Sequence, residues 1–262
     1  MSPELHQAST LPRPRLLDAG DAAFTIEFGS SIDPALAAAV GALDAAIARE
    51  QAQGHLPGLV ETMPTFRSLT VFFDPLVTGR AALISALQPL LDAPAPVPQA
   101  DGGRIARHWQ LPVCYEPDMA PDLAETAQAL GVTPDTLVAK HSATVWRVYM
   151  LGFLPGFPFM GDLPAGLHRP RRTQPRVRVP AGSVSIAGGL TAIYPWESPG
   201  GWHLIGRCPV RLFDPAWPVP ALLAAGDRVH IQPIDVAEFQ RIATAVRAGE
   251  LAPGYWRMRD EG

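Results

Sequence analysis

Residues 22–29, AAFTIEFG, alternate Phe24, Ile26 and Phe28 with Thr25 and Glu27, the period of a strand with one buried face. The next stretch, DPALAAAVGALDAAIAREQAQG, reads as a helix. Asp33 suits its N-cap, Pro34 its first turn and Gly54 its C-terminal cap. LVETM and SLTVFF return to strand spacing, and a second helix is expected over residues 78–91. The order β-α-β-β-α predicts a small α+β domain over residues 17–92.

DAPAPVPQADGG then breaks the pattern, being rich in Pro, Gly and Ala without large side chains, so residues 93–103 are expected to be a linker. A second domain is expected over residues 104–250. It opens with RIARHWQLPVCY as a strand, followed by helices in PDLAETAQALG and TPDTLVAKHSA, where Thr133 suits an N-cap. VWRVYML reads as a strand. VRVPAG, SVSIAGG, TAIYPW, WHLIG, VRLF and RVHIQPI are short β segments divided by Gly/Pro turns, a spacing that suggests a closed barrel or a sandwich. DVAEFQRIATAVRAG reads as a final helix, with Asp235 and Glu238 forming a capping-box-like start. The fold class is therefore an α+β N-terminal domain followed by a mainly-β domain.

Composition changes this picture little. The 262 residues carry a formal net charge of -4, which points away from nucleic acid and anionic membrane as partners. The N-terminal segment lacks an apolar signal region, and no apolar run is long enough to span a bilayer, so a cytoplasmic protein is expected. Cys114 and Cys208 stand alone, outside any Cys/His cluster, and read as buried thiols with no metal site. The only lysine, Lys140, has no flanking methionines, so this chain carries no biotin.

Standard catalytic signatures fail. GFPFMGD has the glycine spacing of a phosphate loop but lacks its Lys and Ser/Thr, and GSVSIAGG is not a nucleophile elbow. Three segments remain unusual. GFLPGFPFMG packs three Phe, two Pro and three Gly into ten positions, a composition suited to neither helix nor strand. RPRRTQPRVRVPAGSVSIAGG sets Arg169, Arg171, Arg172, Arg176 and Arg178 beside a Gly/Ser turn, and YPWESPGGWHLIGR adds a second Gly-rich turn. Arg forks match carboxylate or phosphate, and Gly-rich turns offer backbone N–H groups, so the three together suit a small anionic or amide-bearing molecule. The aromatic loop is expected to wall a cleft beside Arg171, Arg176 and the SPGGW turn. Gly156→Val is expected to abolish binding or assembly without disturbing the fold. His141 is compatible with a general base, a helix-end cap or a buried core histidine. His203 reads as structural.

GFLPGFPFMGDL, PRRTQPRVRVPAGSVSIAGG and YPWESPGGWHLIGRCPVRLFD resemble the signature blocks of the allophanate hydrolase subunit 1 family, to which the B subunits of 5-oxoprolinase and the Kip kinase inhibitor belong. GDAAFTIEFGSSID, PTFRSLTVFFDP, LPVCYEPDMAPDLAETA and LVAKHSATVWRVYMLGF resemble its other blocks, so the likeness spans about residues 17–235. It implies subdomains C and D of a carboxyltransferase domain, with a cyclophilin-like β-barrel in the second domain. It implies, as partners, a homologous second allophanate-hydrolase-type subunit and a lactam-utilisation-type subunit. The implied activity is that of the B subunit of an ATP-dependent 5-oxoprolinase, which opens 5-oxo-L-proline to L-glutamate. The assembled complex would bind ATP, and this chain alone would be inactive. Two alternatives follow from the same family: allophanate- or urea-type carboxyltransferase chemistry, and inhibition of a sensor histidine kinase.

Carried over by position, the resemblance assigns His141, Arg171 and Arg176 to catalysis. It assigns Gly152, Phe153, Pro155, Gly156, Phe157, Gly161, Gly182, Ser183, Gly188, Tyr194, Ser198, Gly200, Gly201 and Trp202 to substrate binding. The chain departs from the family pattern at Phe159 and Met160, where Tyr-Leu is common. It departs again at Leu190 and Ala192, where Gln and Gly are common.

Overall fold

The computed structural model describes residues 13–93 and 106–258, which form two compact units. Most of the expected linker, residues 94–103, lies outside the described residues.

The first unit is a four-stranded antiparallel sheet with two helices: β1 (Arg15–Asp18), β2 (Ala23–Glu27), α1 (Pro34–Ala52), β3 (Leu59–Pro64), β4 (Ser68–Phe73) and α2 (Arg80–Asp92), in strand order β1-β2-β4-β3. Alternation puts Phe24 and Ile26 of β2 on one face with Leu69, Val71 and Phe73 of β4. There they meet Val40, Leu43 and Ile47 of α1 and Leu83 and Leu87 of α2. The Asp33 carboxylate accepts from the Ala35 N–H at 2.7 Å, as its N-cap position predicts. β1 escapes sequence reading because RLLD has no alternation and all four residues are exposed. It exists by pairing along the edge of β2.

The second unit contains β5 (His108–Cys114), α3 (Leu123–Ala129), α4 (Pro134–Ala143), β6 (Trp146–Leu151), β7 (Pro158–Gly161), β8 (Arg176–Val179), β9 (Ser183–Ala187), β10 (Leu190–Ile193), β11 (Ser198–Gly200), β12 (His203–Arg207), β13 (Arg228–Ile234) and α5 (Val236–Ala248). Seven strands close a barrel in the order β10-β7-β6-β13-β5-β12-β9, all antiparallel except the β5–β13 pair. β8 and β11 form a separate ribbon. Trp109, Leu111, Val113, Trp146, Val148, Val184, Ile186, Ile193, Ile205, Val229 and Ile231 belong to its main core.

Two segments differ from their sequence reading. The end of GFLPGFPFMG is a barrel strand, β7, because ladder partners on β6 and β10 override an unfavourable local composition. VRLF is not a strand. Its Phe213 makes a single bridge to Ala221, and Pro209 and Pro215 flank it.

Candidate functional site

The outer face of β7, β9, β10 and β12 carries a second, smaller core: Phe157, Val179, Ala187, Ala192, Tyr194, Trp202 and Leu204, with Leu154, Phe159 and Leu190 partly buried against it. The odd and even positions of these strands separate the two cores. On β10, Ile193 joins the barrel interior, while Leu190 and Ala192 join the aromatic cluster. Phe157 is the hub of the cluster. Its ring lies 4.9 Å from Phe159, 5.0 Å from Tyr194, 5.5 Å from Phe153 and 6.5 Å from Trp202. Burial pushes the Tyr194 phenol up, and the nearby charges of Arg171 and Arg176 oppose that shift.

The aromatic loop is tightly specified. Gly152 N–H donates to Phe157 O at 3.1 Å, Phe157 N–H to Leu154 O at 3.0 Å, and the Trp196 indole N–H to Pro155 O at 3.2 Å. Phe153 has φ 68° with a side chain 66% exposed, a left-handed conformation that a bulky residue rarely adopts. Gly156 has φ 74°, and a Cβ there would meet Phe213 Cβ at 2.6 Å and Leu212 O at 3.1 Å. Gly156→Val therefore perturbs local packing directly and is not the neutral probe expected from sequence.

The five arginines part company. Arg176 makes two hydrogen bonds to the buried Asp122 carboxylate, Nη2 to Oδ1 at 2.6 Å and Nη1 to Oδ2 at 2.8 Å. Arg172 reaches Asp122 Oδ1 at 3.3 Å, Arg169 pairs with Glu125 at 2.7 Å and Arg178 with Glu197 at 2.6 Å. Arg171 has no carboxylate partner among the described residues; it is exposed and lies over the Trp202 ring, 5.7 Å from its centroid. The structure thus brings together Arg171, Trp202, Tyr194, Phe157 and Phe153. Arg176 sits close by, with its fork already occupied.

Ser198 and Gly200 lie on β11 rather than in a turn. A Cβ at Gly200 would meet Tyr194 Oη at 2.3 Å, so this glycine lets the ribbon lie on the aromatic cluster. Gly201 O accepts from Arg172 N–H at 2.8 Å. Gly182, at φ 81°, packs against Cys208 O, and Ser183 is buried on β9. Gly188 N–H donates to Arg169 O at 2.6 Å. Gly161 abuts the Tyr149 ring, and Pro155 is exposed in the loop.

His141 lies elsewhere. It is fully buried at the end of α4, with Nδ1 2.7 Å from Tyr115 Oη and Nε2 2.9 Å from Thr191 Oγ1. Thr191 donates its hydroxyl proton to Ser185 O at 2.9 Å, so it accepts from His141 Nε2–H. Nδ1 then accepts from Tyr115 O–H. Burial lowers the His141 pKa to about 3 and raises the Tyr115 phenol, so both are neutral near pH 7. Of the three roles the sequence left open, this geometry is that of a buried, hydrogen-bonded core histidine. His203 is also buried; its Nε2–H donates to Pro170 O at 2.9 Å.

Asp122 is the residue that sequence reading missed. It precedes a helix and so reads as a cap, with no signal of its distant arginine partners. No metal-holding group of three or more His, Cys, Asp or Glu occurs among the described residues, and none of their helices is long and apolar enough to cross a membrane.

Residues 14–223 match the family model for the carboxyltransferase domain, subdomain C and D. The B subunit of the 5-oxoprolinase of Bacillus subtilis (strain 168) is 37% identical over 226 residues, covering 84% of this chain and 92% of that protein. The B subunit of the 5-oxoprolinase of Haemophilus influenzae is 43% identical over 171 residues, covering 65% of this chain and 78% of that protein. Among solved structures, the urea amidolyase of Kluyveromyces lactis superposes with a TM-score of 0.71 at 20% identity, over 94% of this chain and 16% of that one, a likeness of fold. With four-fifths of its length inside the family model and these relatives beside it, the chain belongs to the carboxyltransferase domain, subdomain C and D family.

Proposed function

We propose that this chain is the B subunit of an ATP-dependent 5-oxoprolinase and helps homologous and lactam-utilisation-type partner subunits to open 5-oxo-L-proline to L-glutamate. Relatives named as B subunits of 5-oxoprolinase, two of them at 37% and 43% identity, support the reaction. One structural observation supports the site: an exposed Arg171 guanidinium over Trp202, beside an apolar floor of Phe157, Phe159 and Tyr194. A lactam carboxylate would pair with Arg171, and the ring would lie on the aromatic floor. Leu190 and Ala192 extend that floor, so the family's Gln and Gly give way here to an apolar surface. We read the barrel as cyclophilin-like on the same resemblance.

ATP would supply the activation of the amide. The segment with phosphate-loop glycine spacing is not built as a cradle for it. Residues 158–161 of the would-be phosphate loop are the ladder-paired strand β7, and the segment has no Lys, Ser or Thr to reach phosphate. We read ATP as bound by the assembled complex, with this chain contributing the surface that orients the lactam. The carboxyltransferase alternative has the fold likeness to urea amidolyase behind it, and no feature of the site favours kinase inhibition.

The test is reconstitution with a homologous second allophanate-hydrolase-type subunit and a lactam-utilisation-type subunit, and measurement of ATP-dependent glutamate release. Activity that needs this chain and falls with Arg171→Ala supports the reading. Equal activity without the chain overturns it.

A further inference from the structure

We infer that Asp122 is a positioning residue that sets the Arg171–Trp202 pair. Asp122 stands at the N-cap of α3, where an aspartate carboxylate ordinarily accepts from the helix's own N–H groups. Here it makes no such bond. Its backbone N–H instead donates to Leu204 O at 2.9 Å, and Leu204 N–H donates to Asp122 Oδ2 at 2.7 Å. The same carboxylate, only 2% exposed, accepts two hydrogen bonds from Arg176 and one from Arg172. A local preference abandoned for distant partners marks a residue whose role is tertiary.

The pattern along residues 169–176 sharpens this. Arg169 donates to Thr126 Oγ1 at 2.9 Å and to Glu125 Oε1 at 2.7 Å, so three arginines of the segment grip the first turn of α3. Arg171, between them in sequence, is the one left to lie over Trp202. Asp122 holds both members of that pair at one remove. It fixes the arginine through the neighbouring Arg172. It fixes the indole through Leu204, two residues along the chain and in the same outer cluster as Trp202. Buried charge makes the clasp strict, because losing Arg176 would leave the buried carboxylate with only the Leu204 N–H and the longer Arg172 bond.

Two measurements test this with Asp122→Asn, and with Arg176→Lys as a milder second variant should the first not fold. The first needs no enzyme activity. Under native conditions, trypsin is expected to cut after Arg171, Arg172 or Arg176 at least about ten times faster in the variant, as the segment opens locally. An unchanged cutting rate overturns the inference. The second rests on the oxoprolinase reading and uses the assembled complex with 5-oxoproline and ATP. Asp122→Asn is expected to raise KM at least about ten-fold with kcat changed less than about three-fold, and to add less than about two-fold in an Arg171→Ala background. Full additivity with Arg171→Ala overturns the inference, since a general structural role does not act through Arg171. If the unaltered complex releases no glutamate, the functional reading fails, and the trypsin rates alone decide the role of Asp122.

Discussion

The two sides of strand β10 face two groups that the sequence offered for chemistry, His141 and Arg171, and they are treated in opposite ways. On the inner side Thr191 meets His141, with both ring nitrogens bonded and the ring sealed against Trp146 at 4.8 Å. On the outer side Ala192 belongs to the aromatic cluster over which Arg171 lies exposed. A histidine is the usual candidate for proton transfer, yet here burial keeps it neutral and without a free nitrogen. The arginine faces solvent. One sheet thus separates a polar network that specifies the fold from a surface that can meet a ligand, and residue type alone would have assigned the roles the other way round.

The largest effect expected from this contrast is on stability. His141→Ala leaves Tyr115 O–H and Thr191 Oγ1 without their partner beside a cavity, and should destabilise the chain by about 3–5 kcal/mol in urea unfolding. A variant that folds as well as the parent but inactivates the complex would break the comparison and move the chemistry indoors. Arg171→Ala should do the reverse. Its unfolding free energy should stay within about 0.5 kcal/mol of the parent, while kcat/KM of the complex falls roughly 10- to 100-fold, the loss of one charged hydrogen bond of about 1.5–3 kcal/mol.

Acid sharpens the same contrast. The His141 pKa is about 3 in the fold and near 6.5 when unfolded, so the unfolded chain binds the proton more readily. The group's contribution is therefore fully present above about pH 6.5. It is lost as pH falls toward 3, with a slope of up to about 1.4 kcal/mol per pH unit. Unfolding measured between pH 7 and 4.5 should show this component in the parent and lack it in His141→Gln. The smallest effect is expected at Phe153. Glycine there relieves the left-handed strain and should change stability by no more than about 1 kcal/mol, while removing the exposed ring that edges the aromatic surface. Differential scanning calorimetry and the glutamate assay on one preparation would measure both.

Much of the scaffold was legible in the sequence because it rests on local rules. The alternation in AAFTIEFG and SLTVFF marked β2 and β4, and Asp33, Thr133 and Asp235 cap their helices as their positions suggest. β1 and β7 were missed because each owes its existence to its neighbours in a ladder. The site was half legible. Arg/Gly/aromatic composition singled out segments that the fold brings together, and Phe157 and Phe159 do approach Trp202, at 6.5 and 5.9 Å. Nothing local told Arg171 from Arg176.

By itself, then, the amino-acid order determined the strand and helix periods, the capping residues and the family, since these depend on spacing along the chain. The tertiary structure alone decided that Arg176 is paired with Asp122, 54 positions earlier, that Arg171 lies over Trp202 with no carboxylate partner among the described residues, and that His141 is closed off beneath Thr191. The reason is physical. Whether a charged or titratable side chain is available depends on its desolvation and on partners brought within about 4 Å, and in this chain those partners come from strands and helices remote in sequence.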